Sequence, residues 1–214
     1  RVLLAASRSE NVDQRVETLA IGGLTTKVMD IESYAIERTF SLMMLDNLPH
    51  NPKVVALIDI GHKQTTLYIA KDGEFIYNRE QSFGGEQLTE AIQNHYGMPY
   101  HDATIGKHEY TLAPDYRENV LMPFIENVVQ QISRSLQFYF SSSEYNSVDH
   151  IVLCGGTANL PGLVEMVQER MGGLVSIANP FEGVSISNRI DTTALQKDAS
   201  SLLAACGLAL RSFD

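Results

Sequence analysis

Val54-Val55-Ala56-Leu57-Ile58-Asp59-Ile60-Gly61 is the stretch on which the fold turns. It is too short for a helix, rich in β-branched residues and without a polar face. It therefore reads as a strand buried on both sides, central in its sheet, that ends on a carboxylate and a glycine. Thr65 to Ala70 reads as its hairpin partner, and Lys71-Asp72-Gly73 turns the chain into a third strand through Phe75 and Ile76.

Downstream, Gly84-Gly85 opens a helix that runs to about Tyr96, with Leu88, Ile92 and Tyr96 four residues apart. Gly97 to Pro114 reads as loop with short helices at most. A long helix is expected from about Tyr116, carrying Val120, Phe124, Val128, Ile132, Leu136 and Phe140 in register, with Pro123 marking a kink or a late start. Ile151 to Cys154 is a second buried strand, Leu160 to Met171 a helix, Leu174 to Ala178 a strand, and Ala199 to Leu210 a final apolar helix. Upstream, Val12, Val16, Leu19 and Ala20 share one helical face that Gly22-Gly23 ends. A short strand is expected at Thr25 to Asp30, then a helix through Ile36, Phe40 and Met43-Met44. Pro49 and Pro52 suggest a boundary between subdomains. Strands alternating with helices, with one antiparallel hairpin, predict an α/β protein with a mixed sheet flanked by helices.

The 214 residues suffice for a full core and a domain or two. The chain is 44% hydrophobic and 20% charged, as soluble globular proteins are. Its formal charge of −10 argues against a nucleic-acid partner, since phosphate backbones select basic surfaces. No apolar run approaches the roughly 20 residues of a spanning helix, and no signal peptide is visible. Cys154 and Cys206 lie far apart in apolar stretches without metal-ligand spacing. Free buried thiols in a reducing compartment, hence the cytoplasm, are the expectation. Arg1-Val2-Leu3-Leu4-Ala5-Ala6 reads as a strand already under way, so the sequence is expected to be part of a longer protein.

Two glycine turns, each directly after a buried strand, carry the candidate chemistry. In Asp59-Ile60-Gly61-His62-Lys63-Gln64-Thr65, backbone N–H groups beside Gly61 could meet anionic oxygens while Asp59 holds Mg²⁺ through water. Equally, it is a plain β-hairpin in which Asp59 only fixes the turn. In Cys154-Gly155-Gly156-Thr157-Ala158-Asn159-Leu160-Pro161-Gly162, a bare backbone could pack against a flat ring, or the segment is an ordinary strand-to-helix connection.

Taken together, the order of these turns and the helical insertion of about ninety residues between them resemble the actin, Hsp70 and sugar-kinase superfamily. Asp59-x-Gly61-x-x-x-Thr65 resembles its second phosphate motif, Gly155-Gly156-Thr157 with Pro161-Gly162 its adenosine motif, and Gly84-Gly85-Glu86 its phosphate-facing glycine pair. Glu32-Ser33-x-Ala35 resembles the first connecting helix, where a carboxylate reaches toward metal and attacking water. Ala204-Ala205-Cys206-Gly207 is similar to the last such helix. Within the superfamily, Val54 to Gly61, Gly84-Gly85-Glu86-Gln87-Leu88-Thr89, Gly155 to Gly162 and Ala205 to Arg211 are most similar to the PilM family of type IV pilus assembly, with the FtsA family of cell division next.

The resemblance implies an actin-like, ribonuclease H-like fold whose first domain is incomplete here. Residues 1–50 would be the remnant of that domain and of its small inserted subdomain. Residues 51–214 would be the second domain, with a helical insertion at about 85–147. It also implies ATP and Mg²⁺ as cofactors, with Glu32 and Asp59 on the catalytic side and Asp59 toward the metal. Gly61, Thr65, Gly84, Gly85, Gly155, Gly156 and Thr157 would bind nucleotide. Relatives edge the base with polar residues of the long helix, where Gln130 and Ser133 stand with Glu126 on nearly one face, although the same residues fit a solvated stripe. His62 replaces the second Asp of many phosphate turns, and Thr104 before Lys107 replaces a ribose-binding Glu. Both departures put brisk hydrolysis in doubt, leaving at most a weak ATPase. The implied partners are the cytoplasmic N-terminal peptide of a PilN-like inner-membrane protein, other pilus assembly proteins and a possible second copy, with no direct membrane insertion. The implied location is cytoplasmic, at the inner membrane through a partner. An FtsA-like division protein, which would usually close with an amphipathic membrane helix not seen at Arg211 to Asp214, and a metabolite kinase are the alternatives.

Overall fold

The apolar run does become the middle of a sheet. The computed structural model describes residues 6–109 and 111–211. Among them the strands β1 (Val54–Ile60), β2 (Thr65–Lys71), β3 (Glu74–Gln81), β4 (His150–Cys154) and β5 (Leu174–Ile177) form one sheet in the order β3-β2-β1-β4-β5. β1–β2 and β2–β3 are antiparallel, whereas β1–β4 and β4–β5 are parallel, so the sheet is mixed. Asp72 and Gly73 both take positive φ, as a tight two-residue hairpin turn demands.

β1 has no polar face because both of its faces are covered. Val54, Ala56, Ile58 and Ile60 meet a core formed with α3 (Gly85–Tyr96), α4 (Tyr100–Glu109), α5 (Met122–Ser142) and α6 (Leu163–Met171). Val55 and Leu57 meet a second core with Ile36 of α2 (Glu32–Thr39), Phe40 and Met44 of the wide π-type turn after it, and Leu203 of α8 (Leu203–Ala209). α2 and α8 cross where Gly207 lies against the Ala35 backbone, and a side chain at Gly207 would collide with the Ala35 carbonyl. The crossing is tied by Thr39 Oγ1 donating to the Leu203 carbonyl at 2.7 Å.

Several expectations need correction. Thr25 to Asp30 carries no strand: Leu24, Val28 and Met29 are exposed, and none of the five strands among the described residues pairs with this segment. Instead Asp30 accepts from Arg211 at 2.7 Å and Arg38 at 3.3 Å. Gly97 to Pro114 holds α4, a helix of ten residues rather than short pieces. It buries little beyond Ala103, so its periodicity was weak. Pro123 marks a late start: a π-type turn, Arg117–Leu121, precedes α5, and the proline sits in the first turn, where its missing N–H costs nothing. α6 begins at Leu163, after the left-handed Gly162. The final helix is broken. α7 (Thr192–Asp198), absent from the sequence reading, is capped by Asp191, whose carboxylate accepts from the Thr193 and Ala194 N–H groups. A tight turn at Ala199–Ser201 follows, then α8. α1 (Ser9–Ile21) stands where expected, yet buries none of its residues. The strand expected over Arg1 to Ala6 falls, but for Ala6, outside the described residues.

Candidate functional site

The carboxyl ends of β1 and β4 lie side by side, with Asp59 paired across the ladder to Cys154. Both glycine turns therefore open at the same edge of the sheet. In the first, the Gly61 N–H donates to the Gln64 carbonyl at 2.9 Å. The Gly61 carbonyl then accepts twice, from the Gly85 N–H at 2.9 Å and from Thr157 Oγ1 at 3.2 Å. The hairpin turn, the start of α3 and the Gly155–Thr157 turn are thus joined at one oxygen. Two further bonds fix the junction: Glu86 N–H to the His62 carbonyl at 2.7 Å and Thr157 N–H to the Ile60 carbonyl at 3.1 Å.

Sterics explain two of the glycines. A Cβ at Gly84 would press into the Gly61 and His62 carbonyls. Gly155 adopts φ 88°, and a Cβ there would meet Asp59 Oδ1 and the Ile60 carbonyl. Gly156 differs: a Cβ would meet nothing within 4 Å, so its backbone lies bare on open space.

That space is a cleft of about 710 Å³ walled by His62, Gly85, Lys107, Gly156 and Thr157, with Gln196 and Lys197 of α7 on the far rim. Lys107 is the cationic group closest to the glycines. Its ammonium donates to the Gly85 carbonyl at 3.1 Å and to Thr89 Oγ1 at 2.8 Å, and burial pushes its pKa down. No carboxylate lies within 4 Å of it among the described residues. His108 is likewise pushed down, by burial first and then by Lys107 and Lys197. A half-buried ammonium with no carboxylate within 4 Å makes this wall of the cleft favourable to an anion, while Asp198 lines the α7 side.

Asp59 sits on the opposite electrostatic footing. Burial, and secondarily the charge of Glu32 at the start of α2, raise its pKa from 3.8 to about 6. The structure therefore brings Asp59 together with Gly61, Gly84, Gly85, Gly155, Gly156 and Thr157, with Glu32 near enough for its charge to act on Asp59. Among the described residues no group of three His, Cys, Asp or Glu side chains forms a metal cage.

The remaining expected residues are placed differently. Thr65 is buried and its hydroxyl donates to the Phe83 carbonyl at 2.6 Å, fastening the hairpin to the segment before α3. Gln130 is exposed on a separate groove between α5 and α6, beside Met166, Glu169 and Arg170. Ser133 is also on α5, and neither residue lines the cleft that holds Gly156. The correction has a packing cause: α5 spends its buried face on the sheet, and α4 supplies the cleft wall. Lys107 stood in the sequence only as a landmark for Thr104, while Ser200, which supports the Gly155 turn from below, gave no signal at all.

A family model described as Type IV pilus assembly protein PilM matches residues 1–213. The cell division protein FtsA of Bacillus subtilis (strain 168) is 25% identical over 151 residues, 59% of this chain and 34% of that protein. Among solved structures, the PilM-PilN type IV pilus biogenesis complex is similar with a TM-score of 0.79 and 26% identity, over 96% of this chain and 58% of that one. MreB5 of Spiroplasma citri bound to ADP is similar in fold alone, with a TM-score of 0.61 and 13% identity, over 96% of this chain and 66% of that one. The chain thus spans about a third of the curated relative. The fold is that of the actin-like ATPases.

Proposed function

The chain belongs to the PilM family of type IV pilus assembly proteins, and on that premise we propose that it binds Mg²⁺-ATP and docks the cytoplasmic tail of a PilN-like inner-membrane protein. The observation that carries the nucleotide half is the Gly61 carbonyl, which gathers three glycine turns around one cleft. Bare backbone at Gly156 suits a flat base, and the Lys107 ammonium, with no carboxylate within 4 Å among the described residues, suits an anion. Magnesium fits as well. The charge of Glu32 adds to the rise in the Asp59 pKa, a repulsion that a cation would relieve; Asp59 would hold the ion through water, where it would neutralise phosphate charge. The absence of a second acid at His62 supports slow turnover at most.

The partner half rests on the similarity to the PilM-PilN complex. No helix among the described residues is long and apolar enough to cross a membrane. The charge of −10 also disfavours anionic lipid, so a protein partner is the better route to a membrane. On this reading residues 1–50 carry the small-subdomain side of the protein and residues 51–214 the second actin-like domain. The FtsA similarity supports a division protein as the second reading, and the family match over residues 1–213 ranks it below the first. Calorimetric titration with Mg²⁺-ATP, and fluorescence polarisation with a labelled PilN-type tail peptide on the full-length protein, test the two halves separately. Saturable binding in each upholds the proposal. A full-length protein that ignores the peptide but binds protein-free anionic liposomes would overturn the recruitment half.

A further inference from the structure

Ser200 lies beneath the Gly155–Thr157 turn and is only 2% exposed. Its hydroxyl donates to the Gly155 carbonyl at 3.3 Å and accepts from Asn159 Nδ2 at 2.9 Å. Its own carbonyl accepts from the Gly155 N–H at 2.8 Å. Both backbone groups of Gly155 are thereby bound by one residue 45 positions away. On the opposite side Gly155 is wedged against Asp59 Oδ1 and the Ile60 carbonyl. What the turn then presents to the cleft is the bare Gly156 backbone, in a position inherited from Gly155. Asn159 extends the brace to α7 by donating to the Lys197 carbonyl at 3.0 Å.

The phosphate side of the cleft is held by other bonds. Gly85 N–H to Gly61 and Glu86 N–H to His62 do not involve Ser200, and Thr157 is anchored separately to Ile60 and Gly61. Loosening the brace should therefore move one end of the site and spare the other.

We propose that Ser200, with Asn159, is a positioning residue that sets the Gly156 backbone against the nucleoside end of the ligand while leaving the phosphate end untouched. The inference rests on the nucleotide reading above. It is tested by titrating the full-length protein and its Ser200→Ala variant with Mg²⁺-ATP and with Mg²⁺-tripolyphosphate, alongside amide hydrogen exchange. Losing one buried hydroxyl is expected to weaken ATP by about ten-fold and tripolyphosphate by less than about two-fold. Exchange at Gly155, whose N–H is bound by the Ser200 carbonyl, and at Ala158, whose N–H donates to the Gly155 carbonyl at 3.1 Å, should rise about ten-fold, with Val152 in β4 unchanged as the control for the fold. Equal weakening of both ligands, or unchanged exchange at Gly155, overturns the proposal. A full-length protein that binds neither ligand tells against the nucleotide reading. The exchange measurement then decides on Ser200 by itself, a selective rise upholding it and no rise overturning it. Should Ser200→Ala fail to fold, Asn159→Ala is read at the same two amides.

Discussion

Replacing Asp59 by Asn should make the protein more stable and a poorer ligand binder at once. The carboxyl is half-buried at the end of β1, against Gly155 and near Glu32, and its pKa is raised from 3.8 to about 6 by burial first and by Glu32 second. Between those two values the folded state holds a proton that the unfolded chain has released. Stability therefore falls as pH rises from about 4 to about 6, and stays low above that. At about 1.4 kcal/mol per tenfold change in proton affinity, ionising Asp59 costs the fold about 2–3 kcal/mol at neutral pH, discounted for its partial exposure. Asparagine keeps the shape and removes the charge. In urea melts at pH 7.5 without Mg²⁺ or nucleotide (a pH chosen about 1.5 above the raised value), Asp59→Asn should be more stable by roughly that amount. For a chain of 214 residues this is a rise in melting temperature on the order of 5–10 °C. At about pH 4 the two proteins should melt together. Glu32→Gln should capture the smaller share of the gain. A variant no more stable than wild type at pH 7.5, or one that keeps the wild-type slope between pH 4 and 6, would refute the reasoning.

Three other outcomes follow from the geometry. A Cβ at Gly156 meets no atom within 4 Å, so Gly156→Val should fold normally while weakening Mg²⁺-ATP in calorimetry of the full-length protein by about ten-fold or more; unchanged affinity would remove Gly156 from the site. Gly207→Ala drives a methyl into the Ala35 carbonyl where α2 and α8 cross, and should cost on the order of 2–4 kcal/mol in denaturant melts, a neutral result meaning that the helices separate freely. Burial pushes the His150 pKa below 6.5, so the stability that it lends as a neutral ring is lost as pH falls below that value; His150→Leu should flatten this acid arm, and an unchanged arm would exclude His150 as its source.

The parts of the fold legible in the sequence are those where burial on two sides leaves an unbroken apolar pattern. β1 and β4 are enclosed by helices, so nothing polar interrupts Val54 to Ile58 or Ile151 to Cys154. Regular one-sided helices such as α3 and α5 also declared themselves, since their buried residues recur at helical spacing. Illegible elements are those held by few apolar contacts. α7 buries none of its residues and depends on the Asp191 cap and on Asn159, so it has no hydrophobic period to read. Thr25 to Asp30 has three β-branched residues in Thr25, Thr26 and Val28, but a strand also needs a neighbour, and the described residues supply Asp30 with two arginines instead.

The candidate site divides along the same line. Glycines were readable because backbone crowding forbids any other residue at Gly84 and Gly155, and such prohibitions leave a mark in the sequence whatever the ligand. Gln130 and Ser133 do not line the cleft at Gly156, because helical spacing fixes which residues share a face and does not fix what that face meets. α5 packs against the sheet and α6, so α4 becomes the wall, and the charge that matters is that of Lys107. Ser200 was invisible for a different reason: a lone serine in an apolar run carries no period, and its role exists only where the chain returns beneath Gly155. Recognition of the backbone is thus written locally, whereas the groups that orient it or charge the cleft are set by tertiary closure. It follows that substitutions at Ser200 and Lys107 should alter ligand preference with little effect on the core, and those at Gly84 and Gly155 should disturb the junction whether or not a ligand is present.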